Sequence, residues 1–193
     1  MPLRNADIAL QELMDGNQRY IAGKLTHPHQ TVQHRQELIP HQEPLAIILG
    51  CADSRVPPEL VFDQGLGDLF VVRVAGNIVD EEAVLGSLEY AVAHLNTPLL
   101  MVLGHKACGA VKATVDALAT NEEGVGHLRY VVNAIQPAVD EGRIQPGDVL
   151  DNAIRANVQR TVKQLKQTGL LFLSDGTRSK IEDRWGILRF GKR

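Results

Sequence analysis

Two short segments of the sequence carry side chains that commonly bind metal ions. Cys51-Ala-Asp-Ser-Arg55 contains one cysteine, and His105-Lys-Ala-Cys108 contains a histidine and the second cysteine. A thiolate and an imidazole separated by two residues in a tight turn can face one metal ion, and a thiolate from a neighbouring strand end completes a set that suits tetrahedral zinc. Three protein ligands leave a fourth position for water or substrate, which is typical of catalytic zinc. The alternative is two inert, buried cysteines and a turn histidine.

An acidic and a basic residue follow the first cysteine closely in the sequence. The carboxylate of Asp53, two residues from Cys51, can accept a hydrogen bond from zinc-bound hydroxide or become a fourth ligand, and Arg55 can hold that carboxylate through two hydrogen bonds. We interpret the pair as a dyad that orients or gates the metal site. The alternative is a loop salt bridge of the kind that is common on protein surfaces.

The elements that must position these residues are short apolar runs. Leu45–Leu49, Leu69–Val74 and Leu99–Leu103 are bounded by Gly or Pro and predict three buried strands. Between the second and third, the apolar spacing over Asp80–Leu95 predicts a crossover helix. We therefore expect an α/β fold, a mostly parallel sheet flanked by helices, with the zinc site at the carboxyl ends of neighbouring strands.

Further elements are predicted on both sides of this region. Apolar periodicity predicts helices over Asp7–Ala22, Ala110–Ala119 and Asp148–Thr168, whereas the polar stretch 23–43 shows no clear pattern. Leu170–Leu173 fits an edge strand. The 193 residues contain no repeat or flexible linker, so we expect a single domain with an N-terminal helical arm over about 1–43 and an irregular tail over about 171–193.

Composition excludes several classes of function. Lys and Arg number 20 against 23 Asp and Glu, a formal net charge of -3, and no long run carries one sign. A nucleic-acid or anionic-membrane surface is therefore not expected. The apolar runs are far shorter than the roughly 18 residues of a membrane span. The start of the chain lacks the apolar stretch of a signal peptide, so we expect a cytoplasmic protein.

Several separate blocks of the sequence resemble the β-class carbonic anhydrases. The resemblance spans about Ala6 to Leu118 and is highly specific. Its blocks are Gly16-Asn-Gln-Arg-Tyr20, Gln42-Glu-Pro44, Cys51-Ala-Asp-Ser-Arg-Val-Pro-Pro58, Gly67-Asp-Leu-Phe-Val-Val-Arg-Val-Ala-Gly-Asn77, Ser87-Leu-Glu-Tyr90 and Gly104-His-Lys-Ala-Cys-Gly-Ala-Val111.

The resemblance implies a reaction and a site. The reaction is reversible hydration of CO2 to bicarbonate and a proton, by attack of zinc-bound hydroxide, with one Zn2+ per chain. Cys51, His105 and Cys108 would bind the zinc, and Asp53 and Arg55 would form the dyad. The residues that match the family's substrate pocket are Gln42, Phe70, Ala75, Tyr90 and Gly109.

The resemblance also implies how subunits associate and which state the site adopts. The glutamine that matches Gln42 usually reaches in from a partner subunit, so we expect a homodimer or a dimer of dimers. Position 75 more often carries valine, which predicts a slightly wider pocket. Members with a closed resting state have a tryptophan three residues before the first cysteine, where this chain has Ile48. We therefore expect a site that stays open.

The end of the chain departs from the family's pattern. Family members usually end in a strand similar to Ile-Val-Gly-x-x-Tyr-Asp, and the stretch Lys180–Lys192 does not match it. With allowed codons, a reading one base later restores that strand, which suggests a shifted frame that sequencing of the gene would test. The zinc site lies upstream, but subunit contacts would be affected.

Three other functions remain open from the sequence. A hydrolase of CS2 or COS is similar to this family and would use the same zinc ligands on another substrate. A redox or nucleotide-binding α/β module would use the cysteines as a thiol pair, but they lie 57 positions apart and no phosphate-binding glycine motif follows a strand. A non-catalytic zinc protein is the third, if the altered tail disrupts the dimer.

Overall fold

The computed structural model describes residues 5–79, 82–120, 122, 124–168, 181–182 and 187–189. The predicted edge strand Leu170–Leu173, and most of the tail predicted over about 171–193, lie outside the described residues. The predicted arm over about 1–43 contains two helices, α1 (Ala6–Ile21) and α2 (Val32–Glu37). The Asn5 side chain caps α1 by accepting a hydrogen bond from the Ile8 amide at 2.8 Å.

Three parallel strands form the centre of the sheet. β1 (Ala46–Cys51) lies between β2 (Leu69–Val74) and β3 (Leu99–Leu103). Two short strands, β4 (Ile181–Glu182) and β5 (Ile187–Arg189), extend the sheet in antiparallel fashion, so that the order is β2-β1-β3-β5-β4. Every residue of β1 is buried, as expected for a strand covered on both faces. The predicted fold class is confirmed.

The first strand extends further than its apolar run suggests. We predicted Leu45–Leu49, but β1 continues to Cys51 because its hydrogen-bonded ladder with β2 pairs Cys51 with Val74. Cys51 is therefore the last residue of the strand rather than part of the following loop. Its backbone is fixed by the sheet.

Helices cover both faces of the sheet. The crossover helix predicted over Asp80–Leu95 is α4 (Glu82–His94), and the two later helices correspond to α5 (Gly109–Thr120) and α7 (Val149–Gln167). A four-residue helix, α3 (Pro58–Val61), and a 16-residue helix, α6 (Leu128–Arg143), were not predicted. Within the described ranges, the structure contains no helix with the length and apolar composition of a membrane span.

Side chains alternate in direction along each strand, so the core is divided between the two faces of the sheet. Ile47 and Leu49 of β1 pack with residues of α4 and α7, including Leu88 and Leu165. Ile48 points to the opposite face, where it joins residues of α1 and the segment after α3. A third cluster surrounds Cys51 and Cys108, and its members from α6 and α7 include Ile135, Val139, Ala153 and Ile154. The cysteines are therefore built into the core.

Candidate metal centre

The three predicted metal ligands converge at one end of the sheet. Cys51 ends β1, whereas His105 and Cys108 lie in the loop that joins β3 to α5. Because β1 and β3 are parallel neighbours, their carboxyl ends meet. One ligand atom from each residue lies within 4.8 Å of the other two. The structure thus brings together residues that are 57 positions apart.

The spacing of the donor atoms suits a tetrahedral zinc ion. The Sγ atoms of Cys51 and Cys108 are 3.9 Å apart. Two sulfurs at about 2.3 Å from a tetrahedral zinc are about 3.8 Å apart. The side-chain nitrogen Nε2 of His105 is buried and has no hydrogen-bond partner among the described residues. A buried, unpartnered imidazole nitrogen beside two thiols fits the chemistry of a bound metal.

The local backbone sets the orientation of the imidazole. Nδ1 of His105 lies 3.0 Å from the carbonyl oxygen of Lys106. Since a carbonyl oxygen only accepts hydrogen bonds, Nδ1 carries the ring proton and Nε2 presents its lone pair. The loop bends at Ala107, whose φ of 54° lies in the left-handed region. This bend returns the chain so that Cys108 faces the same point.

The two thiols share one proton in the metal-free protein. The hydrogen bond between Cys108 and Cys51, against the opposing effect of burial, lowers the pKa of Cys51 to about 4. The Gly76 amide, which donates to Cys51 Sγ at 3.3 Å, acts in the same direction. The same pairing, together with burial, raises the pKa of Cys108. Because one pKa is lowered and the other raised, the pair keeps one proton near neutral pH.

Asp53 and Arg55 form a bidentate ion pair at the edge of the centre. Arg55 donates from Nε to Asp53 Oδ1 at 2.9 Å and from Nη2 to Oδ2 at 2.7 Å, and the Arg55 amide also donates to Oδ1. These contacts hold the pKa of the Asp53 carboxyl well below its usual range. Asp53 Oδ2 is 4.0 Å from His105 Nε2. The carboxylate thus lies beside the ligand atoms while Arg55 occupies both of its oxygens.

The residues predicted to line the substrate pocket lie in two separate places on the chain. Ala75 directly follows Val74, the register partner of Cys51, and Gly109 directly follows Cys108. Ala75 lines a cleft of about 440 Å³ together with Val74, Ile78, Val84, His127, Tyr130 and Val131. The Cβ position of Gly109 faces open space, with no heavy atom within 4 Å.

The other three pocket residues lie towards the opposite end of the strands. Phe70 pairs with Ile47, four residues before Cys51, which is roughly 13 Å along the strand. The Phe70 and Tyr90 rings are 6.2 Å apart. Tyr90, which lies outside the buried stripe of α4, lines a second cleft of about 600 Å³ together with Gln42. One chain therefore does not bring these residues to its own metal ligands.

Two residues that contact the centre were not singled out in the sequence. Arg73 donates from Nε to the Cys51 carbonyl oxygen at 2.9 Å and from Nη2 to the Asp53 carbonyl oxygen, so it fixes the backbone that carries both side chains. Its charge inside the apolar run Leu69–Val74 was the available signal. The second residue is Gly76, whose amide donates to Cys51. A glycine between Ala and Asn gives no such signal.

Comparison with known proteins connects this arrangement to one family. A protein-family model described as carbonic anhydrase matches residues 46–179. A carbonic anhydrase of Mycolicibacterium smegmatis is 47% identical over 166 residues, which cover 86% of this chain and 80% of that protein. Carbonic anhydrase 2 of Mycobacterium tuberculosis is 48% identical over 162 residues, covering 84% and 78%.

Solved structures show the same fold. The β-carbonic anhydrase CcaA superposes with a TM-score of 0.60 at 27% identity, covering 83% of this chain and 75% of that chain. A tetrameric β-carbonic anhydrase of Sordaria macrospora gives a TM-score of 0.63 at 24% identity, covering 83% and 82%. The chain is therefore similar to known carbonic anhydrases in sequence and to solved β-carbonic anhydrases in fold.

Proposed function

This chain belongs to the β-class carbonic anhydrases, and from that premise we propose that it hydrates carbon dioxide reversibly at a zinc ion held by Cys51, His105 and Cys108. The observation that carries the zinc assignment is the convergence of two cysteine sulfurs with a buried, unpartnered imidazole nitrogen. When bound, zinc lowers the pKa of a coordinated water towards neutrality and so supplies a hydroxide nucleophile.

Asp53 orients the nucleophile in this proposal. Arg55 keeps the Asp53 carboxylate ionised, so the carboxylate accepts hydrogen bonds and donates none. A nucleophile that donates its O–H to Asp53 has its lone pair free to attack the carbon of CO2. Because Arg55 occupies both carboxylate oxygens, it also holds Asp53 away from the metal position.

The same pairing supports an active site that stays open. Asp53 is engaged with Arg55, and Ile48 occupies the position where closed members of the family carry tryptophan. We propose that Asp53 never becomes the fourth zinc ligand at neutral pH. A crystal structure at neutral pH with Asp53 on zinc and its pairing to Arg55 broken would contradict this.

Carbon dioxide is proposed to enter through the cleft of about 440 Å³ next to Cys51. Val74 and Ile78 line this cleft and also pack in the buried cluster that contains both cysteines. An apolar wall suits a small, nonpolar substrate, and the small side chain of Ala75 leaves space in the cleft. Gly109, with open space at its Cβ position, adds no side chain that would block the metal.

The remaining pocket residues are proposed to come from a second copy of the chain. Gln42, Phe70 and Tyr90 lie away from the metal ligands of their own chain, so a homodimer would supply them to the partner's centre. The solved relative from Sordaria macrospora is described as tetrameric, which supports a dimer or a dimer of dimers here.

The test is zinc content on purified protein together with stopped-flow CO2 hydration, with Cys108→Ser as the control. We expect one zinc per chain and hydration that the substitution abolishes. Zinc without CO2 hydration, followed by turnover of CS2 or COS, would instead assign the site to a related hydrolase. Zinc with no turnover of any of these substrates would indicate a non-catalytic zinc protein.

We also propose that the chain functions as one domain in the cytoplasm. The helical arm and the sheet share the cluster around Leu13 and Ile48, which supports a single folding unit. Limited proteolysis that yields one resistant core, and fractionation of the source cells, test the two statements separately.

A further inference from the structure

Helix α7 carries two buried polar side chains on the face that packs towards the metal centre. Asn157 is 4% exposed and Thr161 is 1% exposed, and they lie one helical turn apart on the same face. The other buried residues of this helix are Ala153, Ile154, Ala156, Val162 and Leu165. A buried amide is unfavourable unless it is hydrogen-bonded, so the partner of Asn157 indicates its role.

The partners are two successive carbonyl groups of the turn after β2. Asn157 Nδ2 donates to the Gly76 oxygen at 2.7 Å, and Thr161 Oγ1 donates to the Asn77 oxygen at 3.3 Å. Gly76 and Asn77 both have left-handed backbones, with φ of 70° and 47°. Two consecutive residues in this region form a sharp bend, and α7 holds the carbonyl oxygens of that bend.

The other side of the same turn contacts a proposed zinc ligand. The Gly76 amide donates to Cys51 Sγ at 3.3 Å. A Cβ atom at Gly76 would lie 2.6 Å from Ile135 Cδ1 and 3.2 Å from Ala110 Cβ, so neighbouring helices leave no room for a side chain. The turn is therefore packed on one side and hydrogen-bonded by Asn157 on another. Gly76 connects the amide of Asn157 to the sulfur of Cys51.

Helix α7 also lies directly against the second ligand-bearing loop. A Cβ atom added to Gly104, the residue before His105, would lie 2.4 Å from Val158 Cγ2. Asn157 and Val158 thus bring the same turn of α7 next to the turn that contacts Cys51 and next to the loop that holds His105 and Cys108. The helix is placed to fix their positions relative to each other.

We propose that Asn157 is a positioning residue that orients the Gly76 amide towards the Cys51 thiolate. The inference rests on the proposed function because it takes Cys51 as a metal ligand. An N–H donor draws electron density from a thiolate and fixes its direction, and outer hydrogen bonds of this kind commonly change metal affinity 10–100-fold. Asn157 acts on the metal through Gly76 and contacts neither substrate nor metal.

The test compares Asn157→Leu with Thr161→Val. Both substitutions remove one buried hydrogen bond from the same helix face to the same turn, but the Gly76 oxygen belongs to the residue whose amide contacts Cys51. We measure zinc affinity by competition with a chelator, and the thiolate-to-cobalt charge-transfer band after cobalt substitution. Thermal unfolding of each variant records the general loss of stability. Asn157→Ser replaces Asn157→Leu if the latter does not fold.

For Asn157→Leu we expect zinc affinity to fall about tenfold and the charge-transfer band to move to longer wavelength, since a sulfur without its donor holds its electrons less tightly. Thr161→Val should lower the unfolding temperature while leaving the band in place. A folded Asn157 variant with wild-type zinc affinity and spectrum overturns the inference, and so does an equal change in both variants. A wild-type protein that binds neither zinc nor cobalt would instead overturn the proposed function.

Discussion

Arg55 connects the loop after β1 to the loop between β3 and α5, because its guanidinium binds Asp53 in the first and the Ala107 carbonyl oxygen in the second. Nη2 lies 2.7 Å from Asp53 Oδ2 and 3.1 Å from the Ala107 oxygen. The first contact follows the strand that ends in Cys51, and the second lies between His105 and Cys108. A single side chain thus fixes both the carboxylate and the separation of the loops.

Replacement of Arg55 by lysine should lower kcat/KM for CO2 hydration by roughly 10–100-fold, because an ammonium group cannot make the bidentate contact and still reach Ala107. Zinc content should be unchanged, since no ligand is altered. Stopped-flow assays and metal analysis measure the two quantities. Arg143→Lys, at an exposed position at the end of α6, is the matched control and should behave as wild type. Equal activity of both variants would contradict an active role for the dyad.

Zinc binding at pH 7 should release about one proton per chain. The contact between the two thiols lowers the pKa of Cys51 and raises the pKa of Cys108, so the metal-free pair holds one proton that zinc must displace. Zinc affinity should therefore rise about tenfold for each pH unit near neutrality. Calorimetric titration in buffers of different ionisation enthalpy counts the protons. A count of two that persists when a saturating anion replaces the ionisable water on zinc would mean that both thiols are protonated in the metal-free protein.

Asp63 should stabilise the protein at neutral pH and lose this effect in acid. Burial raises the pKa of its carboxyl, but donation from Arg19, Thr26 and the His27 amide outweighs burial and holds the pKa below its usual range. A carboxyl whose pKa is lower in the folded than in the unfolded protein contributes stability above its ordinary pKa of about 3.9, and this contribution is lost as the pH falls.

The corresponding substitution is Asp63→Asn, which retains the left-handed backbone that this position adopts. It should lower the free energy of unfolding by on the order of 3 kcal/mol at pH 7, and the difference from wild type should shrink below about pH 4. Urea unfolding at several pH values measures both. Asp140→Asn removes an exposed carboxylate and serves as the control. A difference that does not change with pH would exclude the ionised form as its source.

Two inactive variants should restore activity when they are combined, if the pocket is shared between copies. Cys108→Ser removes the metal centre, and Gln42→Ala removes a side chain proposed to act on the partner. A mixed dimer contains one site with an intact metal centre and an intact Gln42. Random pairing of equal amounts therefore gives about a quarter of wild-type activity. Activity no greater than the average of the two single variants would place Gln42 outside the partner's site.

The sequence predicts the centre of the fold well because β1 and β3 are buried along nearly their whole length and read as uninterrupted apolar runs. β2 is half-buried and contains Arg73, but the rest of its run is apolar enough to identify the strand. The placement of Cys51, His105 and Cys108 at adjacent strand ends then follows from the parallel topology. The extension of β1 to Cys51 depends on hydrogen bonds with β2, which a single segment does not reveal.

The features that the sequence did not predict were missed for different physical reasons. Helix α6 has buried residues at helical spacing, including Val132, Ile135 and Val139, but Pro137 interrupts the pattern that would identify it. Asn157 can be buried because its side chain donates a hydrogen bond to a carbonyl group far away in the sequence. Such a hydrogen bond leaves no periodic pattern in the sequence. The separation of Phe70 and Tyr90 from Ala75 depends on the packing of whole elements.

The hydrogen bond from Asn157 to Gly76 spans 81 positions of the chain, and this separation affects the order in which the site matures during synthesis. Cys51, His105 and Cys108 are all synthesised before α7, but the turn that contacts Cys51 gains its hydrogen bond from Asn157 only after α7 has docked. A nascent chain that ends before α7 therefore lacks the contact that holds this turn beside Cys51. If the proposed zinc site depends on that contact, it reaches its full metal affinity only after α7 has folded.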